Sequence, residues 1–259
     1  MVSAPPCHGG GRGFKSRLGR QSINLKELKI LYKIIYRIST HINALLGFNS
    51  AWIPKKLIKK ILEDKTNPIV IDAGCNIGEF SELVFKYNDR SIIHAFDLHR
   101  SLSPILCRKF KNYHFNFSQI ALSDYSGRSR IESDSTNDRK AYLSKNGLQS
   151  IKVDKLDNLL KKFNYSSITI IKIDTEGNDY KVLLGSEKIL RVTDIVVFEI
   201  MFKIIEYGST PQDIIKFLKE LDFRYFYRST KYFGLVPISN IKPYEIATQN
   251  IVASRNNLR

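Results

Sequence analysis

The sequence predicts an α/β protein built on a mostly parallel sheet, and three observations carry that expectation. Apolar, largely β-branched runs recur at Ile69–Ile71, Ile92–Phe96, Ile168–Ile173 and Ile195–Phe198, without the one-sided alternation of a half-exposed strand. Parallel strands covered on both faces read this way. Stretches of helical length and pattern separate the runs. Each run is followed closely by a carboxylate, Asp72, Asp97, Asp174 or Glu199, along the edge where open α/β sheets bind ligands.

At 259 residues and 43% hydrophobic, the chain has room for one large domain and an extension. Cys7, Cys75 and Cys107 are scattered, with no Cys-x-x-Cys pair, which argues against a disulfide framework or a zinc knuckle. No apolar run approaches the length of a membrane span, and the first residues lack the apolar centre of a signal peptide. A soluble, cytoplasmic protein is the expectation. The net charge of +16 is unevenly spread: up to Thr66 there are 13 Lys+Arg against 3 Asp+Glu, and beyond it 28 against 22. Because the excess sits mainly ahead of the main domain, nucleic acid is the less favoured partner. An anionic substrate or a membrane-attached glycan remains compatible.

Three segments are expected: a basic arm over 1–22, a helical extension over 23–66 and the main domain over 67–259. Met1 to Arg20 hold about a third of the 14 glycines and two of the 8 prolines, unlike the Ile-, Lys-, Asn- and Tyr-rich remainder. Gly13–Arg17 and Pro5–Gly10 can be back-translated into a tRNA T-arm and anticodon arm. The expectation is therefore a start read too early, inside a neighbouring tRNA gene, and no fold is assigned there. Between Ile23 and Leu46, Leu25, Leu28, Leu31, Ile35, Ile38, Ile42 and Leu45 form a helical stripe, with Lys26, Lys29, Lys33 and Arg37 mostly off it. Such a helix is expected to pack on its own domain. Its basic face also suits peripheral contact with an anionic membrane. A second helix, Pro54 to Glu63, leads through Asn67–Pro68 into the first strand.

That strand ends at Asp72 and enters the turn Asp72-Ala-Gly74-Cys75-Asn76-Ile-Gly78 before a helix starting near Glu79. The two glycines permit a tight turn and close backbone approach. The spacing is not the Gly-x-Gly-x-x-Gly that seats a pyrophosphate. A carboxylate at the strand end suits a cofactor bearing an ammonium or sulfonium group, and S-adenosylmethionine bears both. Asp72, Gly74, Cys75, Asn76 and Gly78 are the candidate cofactor residues of this turn. Asp97, about 20 residues further on, is the candidate partner of ribose hydroxyls. His94, inside its strand, reads as a satisfied core histidine.

A helix over Leu102–Phe110 and a strand over Tyr113–Leu122 follow. Ala121 and Leu122 either border an adenine or open an ordinary polar turn. Ser129 to Asp154 reads as a pair of short strands or a loop beside the site, and Val153 to Phe163 as a helix. The strand Ile168–Ile173 contains Lys172, a costly residue unless paired or reaching a cleft. Asp174 and Glu176 beyond it can cap the helix Asp179–Leu184 or serve chemistry, and the two uses are compatible. A fifth strand over Asp194–Ile200 carries Glu199. A helix over Pro211–Leu221, with Thr210 as N-cap, precedes strands at Phe223–Arg228 and Asn250–Ser254, joined through Phe233, Pro237 and Tyr244. The sum is a Rossmann-like, seven-stranded, mostly parallel sheet with helices on both faces and one antiparallel strand near the edge.

From Val70 to Val252 the chain resembles the FkbM family of S-adenosylmethionine-dependent methyltransferases. The resemblance rests on Val70-Ile-Asp-Ala-Gly-Cys-Asn-Ile-Gly78, on Ala121-Leu-Ser-Asp124, and above all on Ile171-Lys-Ile-Asp-Thr-Glu-Gly177 followed by Val182-Leu-Leu-Gly185. Where the family usually has Phe-Glu-Pro, this chain has Phe96-Asp-Leu98, with a shorter acid. The resemblance implies methylation of hydroxyls on sugars, polyketides and similar metabolites, so a small-molecule or glycan hydroxyl is the expected acceptor. Such transfer needs attack geometry and proton removal, or a divalent metal to acidify the hydroxyl. Asp174 ranks first for that task and Glu176 second, with Lys172 and Glu199 in support.

Overall fold

A computed structural model describes residues 55–99, 101–134, 137–144, 146–200, 210–230, 234–238 and 249–258, giving the backbone alone for 133–134, 137–142 and 249. The expectations for the basic arm and for the stripe of Ile23 to Leu46 lie outside the described residues. Among them, no helix is long and apolar enough to cross a membrane.

In chain order the elements are α1 (Lys55–Leu62), β1 (Ile69–Ala73), α2 (Glu79–Tyr87), β2 (Ile92–Asp97), α3 (Leu102–Lys109), β3 (His114–Gln119), β4 (Ala121–Leu122), β5 (Gly127–Asp134), β6 (Asn137–Leu143), β7 (Gln149–Asp154) and α4 (Leu156–Leu160). After a short 3-10 turn come β8 (Ile168–Ile173), α5 (Asp179–Leu184), α6 (Glu187–Arg191), β9 (Thr193–Ile200), α7 (Pro211–Glu220), β10 (Tyr225–Thr230), β11 (Gly234–Pro237) and β12 (Gln249–Ser254).

The main sheet has the order β11-β10-β12-β9-β8-β1-β2-β3. Strands β3, β2, β1, β8 and β9 are parallel, and β12 runs against both β9 and β10. This is the expected Rossmann-like sheet with its single reversed strand inserted near the edge. An eighth strand, β11, pairs antiparallel with β10 and covers its outer side. One core cluster gathers Ile71, Ile171, Phe198 and Leu218 on one face; another gathers Val70, Ile93, Ile170 and Val197 on the other. Neighbouring residues of β1, β8 and β9 thus feed opposite cores, which is why these strands read as continuous apolar runs.

Ser129 to Asp154 proves more ordered than a loop. It forms most of a second sheet, β4-β7-β5-β6, around a small core of Ala121, Ile131, Ile151 and Val153. The residues expected to form one third strand divide at Ile120, whose N–H donates to the Asp97 carbonyl at 2.9 Å. Beyond it β4 leaves the main sheet to pair with β7. Val153 and Asp154 accordingly end β7, and the helix expected from Val153 starts at Leu156.

Asn178 ties the two sheets together. Its buried Nδ2 donates to the Leu122 carbonyl at 2.9 Å. Gly185 lets the chain press onto the same neighbourhood, since a Cβ there would stand 2.0 Å from the Ser123 carbonyl oxygen. Replacing Asn178 with Leu leaves a buried carbonyl unpaired, and the expected loss is about 1–3 kcal/mol of stability, read by chemical denaturation.

Candidate active site

Register aligns the strand ends. Ala73 lies opposite Phe96 and Ile173, and Ile173 opposite Phe198. The next residues along, Asp97, Gly74, Asp174 and Glu199, therefore emerge in a row across β2, β1, β8 and β9. A cleft opens over that row, lined among others by Gly74, Asn76, Asp97, Leu98, Asp174 and Glu176. Ala121, Leu122 and Leu143 bring the second sheet to its far wall.

The β1–α2 turn is held mainly by backbone groups. The N–H groups of Gly74 and Cys75 donate to the Phe96 carbonyl at 2.8 and 3.1 Å, and Gly78 N–H donates to the Cys75 carbonyl at 2.8 Å. Asp97 organises both sides of its strand end: one carboxylate oxygen accepts from Asn76 N–H at 2.8 Å and the other from His99 N–H at 2.9 Å. It also faces the cleft, where its remaining lone pairs are available to hydroxyl donors.

The two glycines serve packing of the chain itself. Gly74 has φ +77°, and a Cβ there would lie 1.8 Å from the Asp174 carbonyl oxygen. At Gly78, with φ +79°, a Cβ would meet the Phe110 ring of α3 at 2.6 Å. Cys75 is buried in the core, and burial first, then Asp72 and Asp97, push its thiol well above the ordinary range. Neither the Cys75 side chain nor Gly78 borders the cleft as Asn76 does.

Asp72 is fully buried. One of its oxygens accepts from the Ser81 hydroxyl at 2.7 Å; the other has no hydrogen bond, and Lys172 Nζ stands 3.5 Å from it. Burial raises the pKa of Asp72 above the ordinary carboxylate value, against the pull of Lys172 and Ser81. Lys172 Nζ also approaches Asp174 at 3.3 Å and donates to the Gly74 carbonyl at 3.2 Å. Burial alone would lower its pKa, but Asp174 and Asp72 outweigh that and hold it above the ordinary lysine value. The lysine that looked costly inside a strand is thus paired twice. Asp174 itself is 42% exposed and lines the cleft.

Beyond β8 the chain turns sharply, with Glu176 at φ +55° and Gly177 at φ +98°. A glutamate in the left-handed region is uncommon and marks a turn whose shape is imposed from outside. Asp179, which the sequence reading passed over, imposes it. Its carboxylate accepts from the Thr175 hydroxyl at 3.0 Å, from Thr175 N–H at 3.4 Å and from Glu199 N–H at 3.3 Å. Burial and then Asp174 push Asp179 up to about 7. Burial, followed by Asp174, Asp179 and Glu176, pushes Glu199 up to about 9. At neutral pH Glu199 favours its protonated form. His94 is a satisfied core residue: its Nε2 meets the Tyr165 hydroxyl at 2.6 Å, and burial, then Lys162, lower it to about 4.

A mostly parallel sheet with a reversed strand inserted next to β9, an Asp-x-Gly-x-x-x-Gly turn at the end of β1 and an acid at the end of β2 define an S-adenosylmethionine-dependent methyltransferase of the Rossmann-like class. The match to known families makes this particular. Residues 72–225, more than half the chain, match the methyltransferase FkbM domain, and the protein belongs to that family.

Among solved structures, the chain is similar to an rRNA methylase from Streptococcus thermophilus at 12% identity, covering 77% of this chain and 92% of that one with a TM-score of 0.43. It is similar to a TehB-like SAM-dependent methyltransferase from Corynebacterium glutamicum at 11% identity, covering 89% and 100% with a TM-score of 0.44. An Aeropyrum pernix fibrillarin with natively bound S-adenosyl-L-methionine matches at 10% identity, covering 76% and 74% with a TM-score of 0.41. No curated protein matches the chain.

Two outcomes are expected of this geometry. Gly74→Ala drives a methyl group into backbone at a left-handed position, and should cost on the order of 3 kcal/mol or more in a denaturation experiment. Glu199 binds a proton in the folded state from its ordinary 4.5 up to about 9. Its contribution to stability is therefore complete below pH 4.5 and lost as pH rises toward 9. Melting curves from pH 5 to 9 should show wild type losing stability relative to Glu199→Gln as pH increases.

Proposed function

We propose that this methyltransferase acts on a hydroxyl group of a sugar, glycan or similar metabolite, with Asp174 as the base. The observation that carries the reading is the position of Asp174: a part-exposed carboxylate at the end of β8, beside Gly74 and one strand from Asp97, opening on the cleft. Proton removal needs an acidic group within reach of both cofactor and acceptor, and Asp174 is the most central of the row.

The cleft suits S-adenosylmethionine. Asp97 offers lone pairs to ribose hydroxyls, and Phe96, Leu98, Ile120 and Leu143 offer an apolar slot for a flat purine. Asp174 and Glu176 put negative charge where the cofactor is cationic. When bound, the cofactor supplies a methyl carbon on a sulfonium; the acceptor oxygen takes that carbon as the C–S bond breaks. Asp174 accepts the hydroxyl proton, while the turn anchored by Asp179 fixes Glu176 beside it.

Asp174 is read as base in preference to metal ligand because one of its oxygens already faces the Lys172 ammonium. Among the described residues, no group of three or more His, Cys, Asp or Glu side chains is arranged to hold a metal ion. Transfer that survives a chelator supports the base; transfer that stops and returns with added magnesium or manganese makes Asp174 a ligand.

The test uses methyl-labelled S-adenosylmethionine with a panel of free sugars, nucleotide-activated sugars, purified glycans and total RNA. Label in a sugar supports the reading; label in RNA alone overturns it. Against a sugar acceptor, Asp174→Asn should lower transfer roughly 10²-fold while cofactor affinity, measured by calorimetry and still supported by Glu176, falls far less. Asp97→Ala should instead weaken cofactor binding by about 1–3 kcal/mol.

A further inference from the structure

Lys172 is the only described cation held between the strand that carries the glycine turn and the acid assigned to chemistry. Register explains how it comes to be there. Asp72 and Lys172 are direct partners on the parallel strands β1 and β8, so their side chains leave the sheet on the same face. Asp174 follows Lys172 by two residues along the same chain and extends on that face. A lysine at this position has one acid beside it and one ahead of it, and its ammonium reaches both, at 3.5 Å and 3.3 Å.

The two acids differ in what else holds them. Asp72 is fully buried and fixed by Ser81 of α2 at 2.7 Å. Asp174 is 42% exposed, and Lys172 is the one side chain in ionic contact with its carboxylate among the described residues. The ammonium is further fixed by the Gly74 carbonyl at 3.2 Å. The rigid part of the assembly is therefore Ser81, Asp72 and Lys172, and the part that can move is Asp174.

We propose that Lys172 is a positioning residue, anchored on buried Asp72 and presenting the Asp174 carboxylate to the cleft as an oriented, charge-balanced base. This rests on the reading of Asp174 as the base and adds how that base is held. An unanchored aspartate at a strand end samples several rotamers, and only some point an oxygen at the acceptor. An adjacent ammonium selects the rotamer that meets it.

Lys172→Met alone would leave Asp72 buried beside no counter-charge, so failure to fold would be its plainest outcome. The informative pair is Asp72→Asn against Asp72→Asn/Lys172→Met. In the first the ammonium still reaches Asp174. In the second both partners of the buried contact are neutral, and only the hold on Asp174 is gone. With 13C,15N-labelled aspartate, the Asp174 side chain, assigned through Asp174→Asn, should hold one dominant χ1 rotamer in Asp72→Asn and show rotamer-averaged three-bond couplings in the double variant. Transfer to the sugar panel should fall at least ten-fold between the same two proteins, roughly the loss expected when a positioned group is freed.

An unchanged Asp174 rotamer distribution overturns the proposal, whatever happens to transfer, because Lys172 would then not be acting on that carboxylate. A freed rotamer with unchanged transfer overturns it as well, since the hold would be real and without use. The Asp174→Asn variant keeps the two readings apart. Full transfer in that protein removes Asp174 as base, whereas a large loss there with no effect of Lys172 removes only the positioning role.

Discussion

The closest constraint in this fold is the passage of β1 beside β8 at their carboxyl ends, where Gly74 lies so near the Asp174 carbonyl that no Cβ fits. Everything chemical is arranged around that contact. Because the chain at Gly74 has no side chain, the glycine turn can lie against the acid of the neighbouring strand, and the cleft floor is backbone there. Asp174 N–H donates to the Ala73 carbonyl at 2.9 Å, so the ladder of the sheet continues to the last residue before the site. The backbone of the strand ends is therefore as fixed as the sheet, and only the side chains placed on it have freedom left.

Rigidity is needed because the site concentrates acids. Asp72, Asp174, Glu176, Asp179 and Glu199 crowd the ends of three strands with one lysine among them. They coexist by taking different states. Asp72 is paired and buried, Asp179 is bound to backbone donors, Glu199 keeps a proton, and Asp174 is open to solvent. Environment alone separates residues of the same chemistry into these different states.

Much of this could be read before any coordinates. Strands β1, β2, β8 and β9 announced themselves because apolar residues of both parities were needed for two cores, and α5 fell where expected because Asp179 comes just after a glycine and opens an apolar helix. Lys172 stood out as a buried cation in need of a partner. Its partner did not, because Asp72 lies 100 residues earlier and only register brings the two together. Asp72 had the look of a ligand contact, and the sheet turns it inward instead. Asp179 was overlooked since a carboxylate at a helix start has an ordinary use in capping. The second sheet was legible only in part, as a pair of short strands or a loop. In β7, Ile151 and Val153 alternate with polar residues, and so short a period does not separate those two readings.

That second sheet has its own small core and meets the main sheet chiefly through β4, Asn178 and the tight passage at Gly185. A wall built in this way is separable from the floor it stands on. Residues along β5 and β6 can change length, charge or shape without touching the row of strand ends, because the forces that fix each part are satisfied within it. Evolution has in such an insertion a region where acceptor preference can drift while the transfer chemistry stays fixed, much as a lock may be rekeyed without rebuilding the door.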